Sequence, residues 1–199
     1  KSGLSKVYPQ TEVVIVVNGD DSAFYKPQTL EKLIDFHLKN NNTLTFSSVE
    51  LENPTGLGRI IRKNGKLDAI VEEKDASEDQ KRIKEINCGL YVFNRRWLDL
   101  NIGKIQKSKE TGEYYVVDLI PKAVSQKEKI GILKLTNPNE WFGVNSIQDL
   151  EKANLKAETA GQKIHFMGAA GAGESAVAAL SQNLGFEVNG CDINPDSPY

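Results

Sequence analysis

Hydrophobic and polar positions alternate along the chain between strand-like runs and helix-like stripes. Val13–Val17 is an unbroken run of β-branched residues, which predicts a strand buried on both faces. A turn-forming cluster starts at Asn18, and Pro27 then suits the first turn of a helix. The apolar stripe predicted to face inward on this helix comprises Leu30, Leu33, Ile34 and Leu38. We expect His37 on the same helix to be a surface or partly packed residue with no catalytic role.

The same patterns predict the remaining elements of the first 160 residues. Runs at 59–62 and 67–71 flank Asn64-Gly65, a strong hairpin signal because a type I′ turn needs two positive φ angles. Further strands are predicted at 43–49, 86–93 and 130–135. Helical segments are predicted within 74–85, around Trp97 and Leu98, at 113–123 with Pro121 bending or shortening it, and at 146–160 with Ile147, Leu150, Ala153 and Leu155 inward. Strands alternating with helices, plus one hairpin, predict an α/β fold with a mixed sheet.

The pattern restarts near Gly161. A strand at 163–167, a glycine loop, a helix ending near Leu184 and a strand at 187–191 follow one another. This order is typical of the first βαβ unit of a new domain. We therefore predict two domains, at 1–160 and 161–199.

Composition and charge exclude several classes of protein. The chain has 199 residues, 39% hydrophobic and 26% charged, with a net charge of -2, so no basic surface for nucleic acid is expected. Cys88 and Cys191 lack metal-binding spacing and are predicted to be reduced thiols of a cytoplasmic protein. No signal peptide or membrane-spanning run is visible, and the oligomeric state is left open. Because the chain starts at Lys1 and stops at Tyr199, we expect a piece of a longer protein.

Asp20 is the first candidate for chemistry. It follows the predicted strand at 13–17, and open α/β sheets bind their ligands at the carboxyl ends of strands. A carboxylate in this position is suited to Mg²⁺, which prefers oxygen ligands and bridges phosphates. Turn chemistry alone also explains Asp20, as a turn residue or a helix cap.

Six motifs occur in a fixed order between about residues 13 and 153: NGD, NPTGLGRI, IVEEKDA, EINCGLYVF, TGEYYVVDLI and GVN. In this order and spacing they resemble the bacterial UDP-N-acetylglucosamine pyrophosphorylases. The resemblance implies the C-terminal part of a Rossmann-like nucleotidyltransferase with a mixed sheet. It also implies a Mg²⁺-dependent reaction that joins UTP to N-acetylglucosamine 1-phosphate and releases pyrophosphate.

The resemblance also implies roles for individual residues on the nucleotide side. Asp20 is the catalytic, metal-binding aspartate, and Asn145 of GVN is the second metal ligand. Asn18 and Gly19 line the nucleotide. Asp21, which stands where the family usually continues differently, is a candidate to share the ion.

On the sugar side, the resemblance implies four contacts. Gly58 presents its backbone to the sugar, Glu72 accepts hydrogen bonds from hydroxyls, Asn87 binds the acetamido or hydroxyl groups, and Tyr115 closes the pocket. General statistics leave other interpretations open. Glu72 stands in a charged run typical of a solvated surface, Asn87 is a possible strand cap, and Tyr114 and Tyr115 are possible core aromatics.

The last segment carries a second resemblance. Gly168, Gly171 and Gly173 lie between a predicted strand and helix, where backbone amides attract phosphate. The run HFMGAAGAGESAVAALSQNLGFEVNGCD is similar to the start of the UDP-N-acetylmuramate–L-alanine ligases, an ATP-dependent Mur ligase family. That similarity, over 163–199, implies that Gly171 and Gly173 approach the diphosphate of a UDP-sugar and that Asp192 lies near the uridine.

These resemblances lead to one principal hypothesis, a nucleotidyltransferase fused to a Mur ligase in peptidoglycan precursor synthesis. UTP, UDP-sugars and a sugar 1-phosphate are the expected partners, with Mg²⁺ as cofactor. The family's Gly-rich triphosphate loop does not precede Lys1, so the fragment alone is expected to be inactive. A degenerate UDP-sugar-binding or regulatory module is the alternative, and a nicotinamide-binding segment at the C-terminus is a third hypothesis.

Overall fold

The computed structural model describes residues 3–109, 111–158, 164–167 and 188–191. The chain packs as two compact units. Unit 1 comprises Lys1–Val16 and Pro27–Pro138, and unit 2 comprises Val17–Lys26 and Asn139–Tyr199. The domain boundary predicted near residue 161 falls outside the described residues and stays a prediction.

Six strands form one mixed sheet. They are β1 (Val13–Val17), β2 (Leu44–Glu50), β3 (Arg59–Lys63), β4 (Lys66–Val71), β5 (Glu85–Asn94) and β6 (Ile130–Lys134). The strand order is β4-β3-β5-β2-β6, and β1 also pairs with β5. Strands β2 and β6 are parallel, whereas β2–β5, β3–β5 and β3–β4 are antiparallel. The mixed α/β fold predicted from the sequence is therefore confirmed.

The described residues form five α-helices. They are α1 (Pro27–Lys39), α2 (Glu78–Lys81), α3 (Arg95–Asn101), α4 (Leu119–Ser125) and α5 (Ile147–Glu158). Among the described residues, no helix combines the length and apolar character needed to cross a bilayer.

The core of unit 1 joins the sheet to α3 and α4. Its buried members are Leu44, Phe46, Ile60, Tyr91, Phe93, Trp97, Leu98, Leu119, Ile120 and Ala123. The rings of Phe93 and Trp97 stack with centroids 6.3 Å apart. This apolar layer fixes β3, which begins directly after Gly58, and β5, which carries Asn87.

The prediction that β1 is buried on both faces is wrong. All five of its residues are partly exposed. Its partner among the described strands is β5, so β1 lies at the margin of the sheet, where it is covered less completely. Asp20 therefore follows a half-buried strand rather than a buried one.

The inward face of α1 also differs from the predicted stripe. The buried residues are Thr29, Leu33 and His37, spaced four apart, whereas Leu38 is 50% exposed. His37 is buried, contrary to the prediction of a surface or partly packed residue. Its Nδ1 lies 3.0 Å from Thr45 Oγ1, and this hydrogen bond satisfies the ring inside the protein. Burial lowers the pKa of His37, so the ring is a neutral, structural member of the interior.

The helix predicted at 113–123 begins later than expected. A short 3₁₀ turn at Val116–Asp118 precedes α4, and the residues before it are not helical. Pro121 lies in the first turn of α4, where a missing N–H costs no hydrogen bond. Tyr114 and Tyr115 are 62% and 38% exposed, so the core-aromatic interpretation of this pair is wrong.

The predicted hairpin is confirmed. β3 and β4 pair antiparallel, with Lys63 opposite Lys66. Asn64 and Gly65 between them have φ angles of 52° and 75°, the two positive values that a type I′ turn requires.

Unit 2 has a small core of its own. Val144, Leu150 and Ala153 are buried and pack with Phe24 and Phe142. The two phenylalanine rings meet edge to face, with centroids 6.0 Å apart. Two residues predicted to face inward on α5 are exposed instead, namely Ile147 (61%) and Leu155 (64%). Leu155 lies about 140° around the helix from Leu150, away from the core. Ile147 lies only about 60° from Leu150 but is the first residue of the helix, and it is left exposed there.

Two further strands lie near the C-terminus, β7 (Ile164–Met167) and β8 (Val188–Cys191). They pair in parallel, from Ile164 opposite Val188 to Met167 opposite Cys191. Parallel neighbours need a crossover connection, which agrees with the βαβ order predicted for this segment. The predicted phosphate-site and uridine-site residues Gly171, Gly173 and Asp192 lie outside the described residues.

Candidate functional site

The acidic turn that follows strand β1 belongs to unit 2. Asn18 is extended, and Gly19–Asp21 forms a single 3₁₀ turn. The Asn18 amide donates a hydrogen bond to Asp21 Oδ2 at 3.3 Å, and Ser22 Oγ donates to the Gly19 carbonyl at 2.9 Å. The first bond fixes the direction of the Asp21 carboxylate, and the second closes the turn that carries Asp20.

A second segment of unit 2, far away in sequence, packs against this turn. The Val144 N–H donates to the Asp20 carbonyl at 3.0 Å. A Cβ placed on Gly143 would lie 3.1 Å from Asp21 Oδ1 and 3.3 Å from Asn145 Nδ2. The Asp21 carboxylate and the Asn145 amide thus both lie close to Gly143. The backbone hydrogen bond between Val144 and Asp20 also holds the segment before Asn145 against the acidic turn.

The Asp21 carboxyl group has an unusually high pKa. Its pKa is raised from the ordinary 3.8 to about 7. Burial contributes most to this rise, the neighbouring charge of Asp20 adds to it, and the hydrogen bond from Asn18 opposes both. Two adjacent carboxylates that are partly withdrawn from water repel each other unless a proton or a cation is present. This environment favours the binding of a cation.

The donor set of this turn suits Mg²⁺. Over the described ranges, no group of three or more His, Cys, Asp or Glu side chains is arranged to hold a metal ion. Mg²⁺, however, is commonly bound by one or two carboxylates, with water and substrate phosphates completing its shell. The carboxylates of Asp20 and Asp21 with the amide oxygen of Asn145 fit that requirement.

The start of α5 fixes the backbone at Asn145. Ser146 Oγ accepts from the Asp149 N–H at 3.1 Å and donates to Asp149 Oδ2 at 2.7 Å. Asp149 Oδ2 also accepts from the Asn145 N–H at 3.3 Å. This reciprocal capping ties Asn145 to the first turn of the helix.

Unit 1 contains an open cleft of about 760 Å³. Its walls are rich in carboxylates and hydroxyls. The lining residues are Gly56, Glu72, Glu73, Lys74, Ser108, Thr111, Tyr115, Val117 and Asp118. Paired acceptors and donors of this kind suit a polyhydroxylated ligand.

Glu72 and Gly58 lie against each other at this cleft. A Cβ on Gly58 would lie 3.1 Å from Glu72 Oε1 and 3.3 Å from Ile70 Cγ2. The glycine therefore leaves room for the Glu72 carboxylate, which is exposed. Of the four predicted sugar-binding residues, Glu72 and Tyr115 line the cleft and Gly58 contacts Glu72.

Asn87 lies on β5, next to a bulge. The strand carries extra residues between Asn87, opposite Ser48, and Tyr91, opposite Phe46. Within the bulge Gly89 has a φ of 70°. The Asn87 amide donates to the Tyr91 hydroxyl at 2.7 Å and accepts from the Gly89 N–H at 3.3 Å. The side chain is thus held in place by the protein, and it does not belong to the lining of the cleft.

The hydroxyl of Tyr115 is engaged with nearby polar groups. It lies 2.8 Å from Thr111 Oγ1 and donates to Glu113 Oε2 at 3.1 Å. Tyr115 also lines a smaller cavity of about 300 Å³. It is therefore shared by the cleft and by this second cavity.

Arg59 and Glu73 are components of this region that sequence reasoning missed. Arg59 is 2% exposed, and its Nη2 lies 2.8 Å from Glu73 Oε2. The available signal was an arginine at the start of a strand whose next residues are apolar, with an acidic run further along the chain. Such an arginine is buried only if an acid accompanies it.

Comparison with known proteins identifies the family of this chain. The profile of the nucleotidyl transferase family matches residues 3–160. The bifunctional protein GlmU of Clostridioides difficile is 38% identical over 151 residues, covering 75% of this chain and 33% of that protein. GlmU of Desulfotalea psychrophila is 39% identical over 144 residues, covering 72% and 42%.

The fold is shared with a solved structure from Bacillus anthracis, described as a glucose-1-phosphate thymidylyltransferase in complex with sucrose. The TM-score is 0.56 at 16% identity, covering 74% of this chain and 55% of that one. The chain spans about a third of the curated relatives from Clostridium perfringens and Clostridioides difficile (31% and 33%). With its N-terminal four fifths matched by the profile, the chain belongs to the nucleotidyl transferase family.

Proposed function

We propose that this chain supplies metal-binding and sugar-binding residues of a sugar-1-phosphate nucleotidyltransferase. The reaction is the formation of UDP-N-acetylglucosamine and pyrophosphate from UTP and N-acetylglucosamine 1-phosphate. The observation that supports it best is the packing of Gly143 between the Asp21 carboxylate and the Asn145 amide. Family membership and the similarity to GlmU proteins agree with it.

In this proposal, Asp20, Asp21 and Asn145 hold Mg²⁺. When bound, the ion neutralises negative charge on the phosphates that react. The chain's own contribution is to aim these oxygen donors, through the Asn18–Asp21 hydrogen bond and the Val144–Asp20 backbone bond. Because the pKa of Asp21 is raised to about 7, this carboxyl loses its proton most readily when a cation is present.

The cleft of unit 1 binds the sugar. Glu72 accepts hydrogen bonds from ring hydroxyls, Gly58 allows close approach of its backbone, and Tyr115 supplies a further polar group. Asn87, whose amide is held by Tyr91 and Gly89 outside the lining of the cleft, is left out of this set. Asn18 and Gly19 belong to the nucleotide side. The sugar phosphate oxygen attacks the α-phosphorus of UTP in line, the bond to the β-phosphate oxygen breaks, and pyrophosphate leaves. Such transfers depend mainly on positioning and charge neutralisation.

A pyrophosphate-release assay on the intact protein tests the reaction. We expect release only when UTP, Mg²⁺ and N-acetylglucosamine 1-phosphate are all present, with less release from glucose 1-phosphate or from dTTP. Binding of UDP-N-acetylglucosamine without pyrophosphate release would favour the alternative, a degenerate UDP-sugar-binding module.

For residues 161–199 we propose the beginning of a UDP-binding domain of a UDP-N-acetylmuramate–L-alanine ligase. The parallel pairing of β7 and β8 supports a βαβ start. In the intact protein, UDP-N-acetylmuramate and L-alanine should then stimulate the release of ADP from ATP. Tight binding of NADH, with no such stimulation, would contradict the ligase and support a nicotinamide-binding segment.

A further inference from the structure

The Arg59 guanidinium is buried next to the candidate sugar cleft and makes several hydrogen bonds. It donates to Glu73 Oε2 at 2.8 Å, to the Leu57 carbonyl, and to the Lys81 carbonyl at 3.4 Å. A buried arginine whose charge lost its acidic partner would be strongly destabilising. The pair is therefore a built feature and not an incidental surface contact.

Glu73 links this arginine to the loop before β3. The same oxygen that binds Arg59 also accepts the Gly56 N–H at 2.6 Å. Gly56 has a φ of 83°, a conformation that leaves its N–H free to reach the carboxylate without strain. The hydrogen bond from Arg59 lowers the pKa of Glu73 below its usual range, and the hydrogen bond from the Gly56 N–H lowers it further. The carboxylate therefore stays ionised.

This carboxylate stands directly beside Glu72 in sequence, and both residues line the cleft. Glu72 in turn contacts Gly58, two residues after Gly56. Arg59 and Glu73 thus fix both the loop at 56–58 and the segment that carries Glu72. Displacing either would move the Glu72 carboxylate relative to the Gly58 backbone.

We propose that Arg59 and Glu73 are positioning residues for sugar binding, which hold Gly58 and Glu72 in register across the cleft. This inference rests on the proposed function. It assigns to Glu73 a role distinct from that of the solvated charges in the same run, because Glu73 is tied to a buried cation and to a loop amide.

The test compares Glu73→Gln and Arg59→Lys with wild type in the intact protein. We expect the KM for N-acetylglucosamine 1-phosphate to rise roughly fivefold or more, because misplaced binding groups weaken substrate affinity, while the KM for UTP changes by less than about twofold. Glu52→Gln is the matched control. Glu52 pairs with Lys84 at 2.6 Å but is 94% exposed, so both KM values should stay at the wild-type level.

Equal changes in both KM values, or no change in either, would overturn the inference. So would a loss of turnover that only reflects less folded protein, with both KM values unchanged. If wild type releases no pyrophosphate, the proposed reaction fails, and calorimetric titration with UDP-N-acetylglucosamine tests the pair instead. If Glu73→Gln binds UDP-N-acetylglucosamine more weakly than Glu52→Gln does, the positioning role of Arg59 and Glu73 is supported. Equal binding by the two variants, or no binding by either, would overturn that role.

Discussion

Gly143 is the residue on which the acidic cluster depends most closely. The position of a Cβ there, 3.1 Å from Asp21 Oδ1 and 3.3 Å from Asn145 Nδ2, is tighter than ordinary contact. A methyl group would push apart two of the three proposed metal ligands, while the rest of the small core of unit 2 stays packed.

Gly143→Ala should therefore lower Mg²⁺-dependent turnover by roughly tenfold to a hundredfold, since misplacement by a fraction of an ångström is costly in a preorganised site. The free energy of unfolding should change by less than about 1 kcal/mol. Steady-state kinetics over a Mg²⁺ series and urea unfolding check the two parts. Wild-type turnover and Mg²⁺ dependence in the variant would contradict the placement of Asp21 and Asn145 at one site.

Residue types at the site were readable from sequence to different degrees. Asp20 and Asn145 stand in short motifs, NGD and GVN, and the structure joins their backbones in unit 2. The burial of Arg59 and of His37 was not predicted, because a polar residue is accepted in the core only where partners satisfy its polar atoms. Those partners, Glu73 and Thr45, are identified by tertiary contacts and not by any local pattern.

At the scale of the element, the N-terminus of α5 places Asn145. Ser146 and Asp149 cap one another there, and Asp149 also accepts the Asn145 N–H. Ser146→Ala removes the hydroxyl from both of its bonds and should lower the free energy of unfolding by about 1 kcal/mol. Urea unfolding measures this, with Gln148→Ala, an exposed position in the same first turn, as the control. Equal stability of the two variants would show that the cap contributes nothing.

Glu85 ties three strands of the sheet together. It accepts hydrogen bonds from Ser48 of β2 at 2.7 Å and from Arg62 of β3 at 2.7 and 2.9 Å. Burial raises the pKa of Glu85, but the hydrogen bonds from Arg62 and Ser48 outweigh it and leave the pKa below the ordinary 4.5. A folded-state pKa below the unfolded value means that Glu85 stabilises the fold above about pH 4.5. That contribution is lost as the pH falls through the folded pKa.

Glu85→Gln should therefore lower the free energy of unfolding by about 1–2 kcal/mol near pH 7, and the difference from wild type should shrink in acid. Denaturant unfolding of both proteins across this range tests it. Glu50→Gln is the control, because Glu50 pairs with Lys134 at the exposed surface and should cost less than about 1 kcal/mol. A pH-independent difference for Glu85→Gln would mean that the ionised carboxylate is not what stabilises the sheet.

Element types were more predictable than burial and boundaries. The hairpin at Asn64-Gly65 follows from local turn chemistry, and most of the strands follow from β-branched and aromatic runs. The exposure of β1 and the late start of α4 depend instead on neighbouring elements. The buried face of α1 includes Thr29 and His37, which an apolar stripe cannot indicate.

At the scale of the whole molecule, the two units carry different chemistry. Unit 1 contains the hydroxyl- and carboxylate-lined cleft, and unit 2 contains the acidic cluster around Gly143. The family match at 3–160 includes both. The segment that follows adds a parallel strand pair, whose assignment to a ligase domain stays a prediction because Gly171, Gly173 and Asp192 lie outside the described residues.

The most direct test of the account is the Mg²⁺-dependent release of pyrophosphate by the intact protein carrying Asp20→Asn. We predict a fall in turnover of at least roughly a hundredfold, because the negatively charged oxygen ligand of the ion is replaced by a neutral amide. The melting temperature should stay unchanged. Asp68→Asn, on the exposed side of β4, should retain wild-type turnover. Turnover by Asp20→Asn equal to that of Asp68→Asn would contradict the assignment of Asp20 to the metal.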